Sequence, residues 1–296
     1  MSQVELNNVK KAVGQGKVAN TYLILGNAQS DAIGSALSLV EAILKSPAWG
    51  QEIAQQQLSV ERLKGLANAD IHYYYPVNTT PEFKKSPSSS DFINHWREMV
   101  LNDSRISITD WYKKIGLGNK QGAINKDEAE KISKLAHLKS YEGGVKIFVI
   151  WMAEKMNLTA SNKLLKLLEE PPKKTVFILI SENEKRMLKT ITSRCQKIYI
   201  GRQKADNQEL KSDFESLFVE WVRAAFRVKG KKSAINELIA FSEKLSKKTR
   251  EEQKEFFIFC SEVFRDSISF GYKSSDRSTK YKGDLDLKKF APFVHE

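Results

Sequence analysis

Cysteine is scarce in this sequence of 296 residues, which contains only Cys195 and Cys260. Two cysteines exclude a disulfide scaffold and a four-cysteine zinc module built from this chain alone, so we expect both to be reduced thiols. Long apolar runs are also missing, since none approaches the roughly 18 to 20 residues that cross a bilayer. The start, residues 1–15, is polar rather than signal-like. We therefore expect a cytoplasmic protein without a membrane partner.

The remaining composition is typical of a folded globular protein. It is 41% hydrophobic, 10% aromatic and 28% charged, which argues against disorder, and its length predicts about two domains. Lysine and arginine number 48 against 36 acidic residues, a net charge of +12. Such an excess favours a polyanionic partner, because counterion release strengthens contacts to phosphates. The alternative is a basic surface that serves solubility alone.

Strand and helix patterns alternate along the first two hundred residues. Five strands are predicted, two of them shorter than the rest, at residues 21–25, 71–75, 145–150, 175–180 and 197–200. The continuous apolar runs among them are typical of strands that are buried on both faces. Helices are predicted between them, including 32–44, 158–169 and one around 183–193. This alternation requires parallel pairing with crossover helices. We therefore predict an α/β domain at residues 1–202, a P-loop-like parallel sheet with flanking helices.

An insertion is predicted near residues 78–125 of this domain. Residues 78–103 are polar and rich in serine and proline, which predicts an exposed loop that Trp96 and Trp111 could pin down. A helix is expected from Asn125 to Ser140, with Asn125 as its cap and Glu128 as the capping-box partner.

The pattern changes after Gly201. Residues 203–212 are polar and are interpreted as a short linker. Helical periodicity then predicts three helices, at about 214–226, 235–245 and 251–270. The second predicted domain, residues 213–296, is therefore all-α.

The turn after the first strand stands where a phosphate-binding loop would lie. That loop has the pattern Gly-x-x-x-x-Gly-Lys-[Ser/Thr], in which glycines turn backbone amides inward and lysine reaches the outer phosphates. Counting from Gly26, the second glycine falls on Asp31, the lysine on Ala32 and the hydroxyl on Ile33. A carboxylate and two apolar side chains oppose a polyphosphate, so we predict a degenerate loop without a nucleotide cofactor.

The carboxylate that holds a nucleotide's metal is expected at the end of a neighbouring strand. Here Trp151 and Met152 follow the apolar run 147–150. Glu154 lies nearby, but its position favours a structural surface glutamate. We therefore predict no metal site, and an active ATPase with an unusual loop stands as an alternative.

Two segments carry a more specific pattern: residues 160–172, with the sequence ASNKLLKLLEEPP, and Ser193-Arg194-Cys195. In a purely structural interpretation the leucines pack on the sheet, the prolines end the helix and Arg194 forms an ion pair. Together with the strand between them, the segments resemble the clamp-loader branch of the AAA+ proteins. Within that branch the similarity is to the delta-prime family of bacterial DNA polymerase III, supported by residues 16–20, 72–77 and 221–225.

The resemblance implies a rigid, non-hydrolysing member of a five-subunit ring. It implies that Arg194 acts as an arginine finger on ATP held by a neighbouring gamma or tau subunit, with Ser193 and Cys195 as motif context. A guanidinium supplied in trans can neutralise charge on a transferring phosphoryl group. The implied partners are the gamma/tau and delta subunits and, through the complex, the sliding clamp and primer-template DNA. The helical domain would be collar-like.

The chain departs from that family in four respects. The zinc module of many relatives is missing, and we expect the usual segment ahead of the first helix to be absent. Residues 203–212 are short for a lid domain, and the end near residues 293–296 predicts an incomplete collar. The competing hypothesis is a freestanding nucleic-acid-binding protein on an inert AAA+ shell. It would use basic helices around Lys229, Lys231, Lys232, Lys247, Lys248 and Arg250.

Overall fold

The computed structural model describes residues 2–26, 30–201, 208–230 and 235–271. The chain divides into two compact units, Met1–Lys204 and Ala205–Glu296. The described part of the first unit contains a sheet with helices on both faces, and that of the second is helical. The predicted fold class is confirmed.

Five parallel strands form the sheet in the described residues. They are β1 (Thr21–Leu25), β2 (Ile71–Tyr74), β3 (Lys146–Trp151), β4 (Thr175–Ser181) and β5 (Gln196–Tyr199), in the order β2-β3-β4-β1-β5. Every residue of β1, β3 and β4 is buried. Because these strands are covered on both faces, their sequences are continuous apolar runs rather than alternating ones. The predicted strands are confirmed, with ends that differ by one residue at most.

Helices cover the two faces of the sheet. They are α1 (Ser2–Gly14), α2 (Ala32–Leu44), α3 (Ile53–Lys64), α4 (Ile93–Asn102), α5 (Ile108–Lys114), α6 (Lys126–His137), α7 (Leu158–Glu169) and α8 (Lys189–Thr192). One apolar core lies under α1, α2, α4 and α5, and the other lies under α6, α7 and α8. The predicted bounds of α2 and α7 are confirmed.

The helix expected around 183–193 is wrong as a single element. The chain forms a 3-10 turn at Glu184–Arg186 and then the one-turn α8. The Asn183 side chain accepts a hydrogen bond from the Lys185 backbone N–H, and Met187 is extended between the two turns. Helix α3 was not predicted, because its sequence is polar and only Ser59 and Leu63 of it are buried.

The exposed loop or insertion predicted for residues 78–103 is confirmed in part. Residues 81–87 are irregular and mostly exposed, whereas residues 89–102 are helical, and Trp96 and Trp111 are buried as expected. A 3-10 turn, Ser89–Phe92, leads into α4, and both Phe92 and Trp96 are about 1% exposed. The Tyr75 ring lies 4.6 Å from the Trp96 ring and 4.7 Å from the Trp111 ring. Buried aromatic rings contribute large apolar areas, so a few such residues outweigh the surrounding serines and prolines. The insertion is therefore packed against the sheet.

The predicted capping box at α6 is also wrong. Asn125 precedes the helix but its side chain makes no capping hydrogen bond. The Glu128 carboxylate instead accepts a hydrogen bond from the Ser89 backbone N–H at 2.9 Å. Glu128 is buried, and it joins α6 to the insertion.

The second unit contains α9 (Gln208–Gly230), α10 (Ile235–Ser246) and α11 (Arg250–Gly271). Its apolar core is formed by Leu217, Phe218, Phe241, Phe256, Cys260 and Val263. Helix α9 begins at Gln208, inside the predicted linker, while residues 202–207, 272–296, Lys231 and Lys232 lie outside the described residues. No described helix is both long enough and apolar enough to cross a bilayer.

Glu128 yields a prediction about stability and pH. Burial raises the pKa of Glu128, and its second carboxylate oxygen has no partner among the described residues. When a group has a higher pKa in the folded state than in the unfolded state, its contribution to the free energy of unfolding is largest below the unfolded-state pKa. That contribution declines as pH rises through the folded-state pKa. Glu128→Gln removes the charge and keeps an acceptor for Ser89. At pH 8 we expect it to raise the free energy of unfolding by roughly 1 kcal/mol, because burial costs an ionised carboxylate more solvation energy than a neutral amide of the same shape.

Urea unfolding between pH 4 and pH 8 measures the effect, which should shrink toward pH 4. Glu130→Gln is the matched control on the same helix. A hydrogen bond from Lys163 lowers the pKa of Glu130, so its stabilisation is present at neutral pH and is lost in acid. The control should therefore change stability in the opposite direction. A less stable Glu128→Gln protein at pH 8 would contradict the prediction.

Candidate functional site

The candidate nucleotide site lies at the carboxyl edge of the sheet, where β1, β3 and β4 end and α2 begins. Ligands of open α/β sheets bind at this edge. Residues 27–29 of the loop between β1 and α2 lie outside the described residues. The described residues on either side, Gly26 and Ser30, lie close together. A Cβ on Gly26 would lie 2.2 Å from the Ser30 hydroxyl, so a larger residue would require that side chain to move.

The Asp31 carboxylate caps the N-terminus of α2. Its Oδ1 accepts hydrogen bonds from the Gly34 backbone N–H at 3.0 Å and from the Ser104 hydroxyl at 2.6 Å. A Cβ on Gly34 would lie 2.4 Å from the carboxylate oxygens, so glycine makes this approach possible. The N-terminus of a helix attracts anions, and phosphates commonly bind there. In this chain the anion at the N-terminus of α2 is the Asp31 carboxylate.

The space beside Asp31 is small. It is lined by Gly26, Ser30, Ala32, Ile33, Ser104, Ile106, Trp151, Met152, Ile180, Ser181 and Glu182, and its volume is about 10 Å³. That volume holds about one water molecule. Ser104 and Ile106 come from the predicted insertion, and Ala32 and Ile33 are buried. The residues present therefore do not fit a triphosphate with its metal.

The end of β3 is occupied by an aromatic residue. Trp151 is buried, and its ring lies 5.2 Å from the Trp96 ring. The next residue, Met152, has a positive φ of 56°, which turns the chain away from the strand. Among the described residues, no group of three or more histidine, cysteine or acidic side chains is arranged to hold a metal ion.

The prediction that Glu154 lies on the surface is wrong. Glu154 is 8% exposed, and its Oε1 accepts a hydrogen bond from the Glu182 backbone N–H at 3.1 Å. This bond joins the turn after β3 to the turn after β4. Sequence alone missed it, because the partner is a backbone group 28 positions away.

Arg194 lies just beyond α8, and its guanidinium binds two groups of its own chain. Nη1 donates to the Thr190 carbonyl at 2.7 Å, and Nη2 lies 2.7 Å from Glu169 Oε1. The Arg194 side chain is 38% exposed, so it is outside the core. The sequence pattern indicated both the acidic end of α7 and the Ser193-Arg194-Cys195 motif. It did not predict that Glu169 and Arg194 form an ion pair. Arg194 does not line the space beside Gly26.

The chain matches the family model described as DNA polymerase III, delta subunit, over residues 2–204. This match covers more than half of the chain. The chain belongs to that family. The predicted similarity to delta-prime subunits is also confirmed by curated relatives.

The delta-prime subunit of Bacillus subtilis is 39% identical over 74 residues, 25% of this chain and 22% of that protein. The Pseudomonas aeruginosa subunit is 53% identical over 53 residues, 18% and 16% of the two chains. The Escherichia coli subunit is 40% identical over 78 residues, 26% and 22% of the two chains. These matches span about a fifth of the length of each relative.

Two solved structures show weak similarity to this delta-family chain. A DNA polymerase III gamma subunit-related protein of Thermotoga maritima is 16% identical, with a TM-score of 0.39, covering 98% of this chain and 90% of that one. The DNA clamp loader delta protein of Bacillus subtilis is 12% identical, with a TM-score of 0.35, covering 89% and 67%. The family assignment rests on the sequence matches.

The residues beside Arg194 in this delta-family chain differ in exposure. The Ser193 hydroxyl is exposed and donates to the Thr190 carbonyl at 3.2 Å. The Cys195 thiol is partly buried, and its Sγ lies 3.1 Å from the Ile191 carbonyl oxygen that it faces. Burial raises the pKa of Cys195 to about 12. Cys195 thus anchors the turn, while Ser193 and Arg194 stay at the surface.

Replacing Asp31 tests the cap. Asp31→Ala removes the acceptor of Gly34 and Ser104, and we expect it to lower the free energy of unfolding by about 1 kcal/mol, the usual effect of losing an N-cap. Asp31→Asn keeps a capping oxygen and is the matched control, with a much smaller loss. Urea unfolding measures both, and equilibrium dialysis with labelled ATP should detect no binding by the unmutated chain. Micromolar affinity for ATP would contradict the conclusion that a triphosphate does not fit beside Asp31.

The two thiols should be unreactive in the folded protein. Burial raises the pKa of Cys195 and of Cys260 to about 12, so almost no thiolate is present at pH 8. We expect slow reaction with an aromatic disulfide reagent in native buffer and fast reaction in guanidinium chloride, where cysteine pKa values return to about 8.5. Cys195→Ser and Cys260→Ser proteins report each thiol separately. Rapid native labelling of Cys195 would contradict the buried anchor.

Proposed function

We propose that this member of the delta family is a delta-prime-type clamp-loader subunit that acts as a scaffold and arginine donor and does not hydrolyse ATP itself. The observation that carries the proposal is the contrast between two charged side chains. Asp31 fills the anion position of the chain's own loop, and Arg194 remains exposed at the surface.

The first part of the argument concerns the chain's own loop. A polyphosphate needs backbone amides, a lysine and a metal-bound hydroxyl. The amide of Gly34 is taken by Asp31, and the lysine and hydroxyl positions hold the buried Ala32 and Ile33. Trp151 fills the end of β3, where a metal carboxylate would lie. These observations support a degenerate site.

The second part concerns Arg194. An arginine that stabilises a phosphoryl transfer must reach the nucleotide from a fixed position. The anchored Cys195 and the Thr190 carbonyl fix the backbone and one edge of the guanidinium. The side chain is nevertheless exposed and bonded to a group that water or a phosphate can replace. This combination supports donation to a nucleotide on a neighbouring subunit.

The partners follow from the family membership. We infer that gamma or tau subunits hold the ATP, that a delta subunit completes the ring, and that the sliding clamp and primer-template DNA are engaged through the complex in the cytoplasm. Residues 1–202 would be the base domain and residues 213–296 a collar-like domain. The polar and exposed charges of α10 and α11, such as Glu237, Lys244 and Arg265, suit a helical unit in contact with water.

The competing function is direct binding of nucleic acid, which the net charge of +12 favours. It predicts that the isolated chain binds DNA, that log affinity falls linearly with log salt, and that Arg194 has no effect. The loader function predicts the opposite for Arg194. One substitution therefore separates the two hypotheses.

Arg194→Ala should lower the DNA-stimulated ATPase rate of a reconstituted loader by about tenfold or more, since a trans arginine contributes a large factor to phosphoryl transfer. Assembly, measured by size-exclusion chromatography, should be unchanged because the side chain is exposed. Arg186→Ala is the matched control, an exposed arginine of the same unit in the Glu184–Arg186 turn. An unchanged ATPase rate in the assembled Arg194→Ala complex would overturn the proposal.

A further inference from the structure

The ion pair between Arg194 and Glu169 joins the two motifs that identify this family. Glu169 is the last residue of α7, and Arg194 follows α8. The facing atoms, Nη2 and Oε1, lie 2.7 Å apart, and the two side chains are 38% and 43% exposed. The pair therefore forms at the surface, where another anion can reach the guanidinium.

Glu169 and a phosphate would compete for the guanidinium of Arg194. Guanidinium groups bind carboxylates and phosphates with the same outward-facing N–H groups. In Arg194 both terminal nitrogens are engaged, Nη1 by the Thr190 carbonyl and Nη2 by Glu169. These contacts use two of the five guanidinium N–H groups, and a phosphate oxygen that binds either of those two must replace its partner. Of the two partners, the Glu169 carboxylate is the one that carries a negative charge, as a phosphate does.

The position of Glu169 strengthens its hold on the arginine. It lies at the C-terminus of α7, where the helix dipole is negative, so a cation is favoured there. Glu170 carries the same charge one residue later and is exposed, but the ion pair of Arg194 is with Glu169. An exposed pair of this kind is weak, worth about 0.2 to 1 kcal/mol. It is weak enough for a polyphosphate to displace.

We infer that Glu169 is a positioning residue that holds Arg194 within its own subunit until a phosphate of the neighbouring subunit's nucleotide displaces it. The inference rests on the proposed arginine-donor function and adds its regulation. Release of the pair is part of nucleotide binding, so Glu169 weakens the apparent affinity for ATP. Once the phosphate has replaced the carboxylate, Glu169 no longer contacts the arginine, and the chemical step is unaffected.

The test is the steady-state ATPase of a loader reconstituted with the full chain. Glu169→Gln should lower the apparent KM for ATP by about two- to fivefold with kcat unchanged, the range that an exposed ion pair allows. The difference should shrink at high salt, because salt screens the pair in the unmutated protein. Glu170→Gln, the adjacent control, should leave both constants unchanged. The double variant Glu169→Gln/Arg194→Ala should match Arg194→Ala alone.

The outcomes separate the two proposals. If Arg194→Ala lowers the rate but Glu169→Gln leaves KM unchanged, the restraint is disproved and the arginine-donor function stands. A lower kcat in Glu169→Gln would also overturn the restraint, since the carboxylate would then support the productive position. If Arg194→Ala has no effect on an assembled complex, the arginine-donor function fails, and the inference fails with it.

Discussion

The hydrogen bonds of the Asp31 carboxylate determine what the carboxyl edge of the sheet can do. A helix N-terminus at this edge offers unpaired amides, which an external phosphate or an internal side chain must satisfy. In this chain the internal side chain is Asp31, whose carboxylate accepts hydrogen bonds from the Gly34 backbone N–H and the Ser104 hydroxyl. Any phosphate at this position would displace a bonded carboxylate and meet its negative charge. The same few bonds therefore stabilise α2 and oppose the binding of an external anion at its first turn.

That arrangement depends on the insertion, which supplies Ser104. The insertion is fixed by apolar packing rather than by its serines, because Trp96 lies against both Tyr75 and Trp151. The Trp111 indole N–H donates to the Pro76 carbonyl at 2.8 Å, and the Tyr75 hydroxyl donates to the Ser89 carbonyl at 2.6 Å. The aromatic cluster thus connects the chain just after β2, the end of β3 and the insertion.

Sequence patterns predicted the elements whose burial is uniform. Every residue of β1, β3 and β4 is buried, so the positions of these strands were predicted closely. Interactions between distant segments were not predictable in this way. Glu128 bonds to Ser89, Glu154 to Glu182 and Glu169 to Arg194, and each partner is set by the fold rather than by local spacing. The helix missed within residues 78–103 has the same origin, since two buried aromatic residues, Phe92 and Trp96, stand among polar neighbours.

The contacts of Asp31 and those of Arg194 lie on different elements of the first unit. The hydrogen bonds of Asp31 lie at the N-terminus of α2, whereas Arg194 follows α8, the short helix that leads into β5. Cys195 is anchored to Ile191, and Arg194 to Thr190, so the turn is held by its own backbone carbonyls. Its geometry therefore needs no ligand at the Gly26 loop. The arginine turn and the capped N-terminus of α2 are therefore held by separate sets of hydrogen bonds.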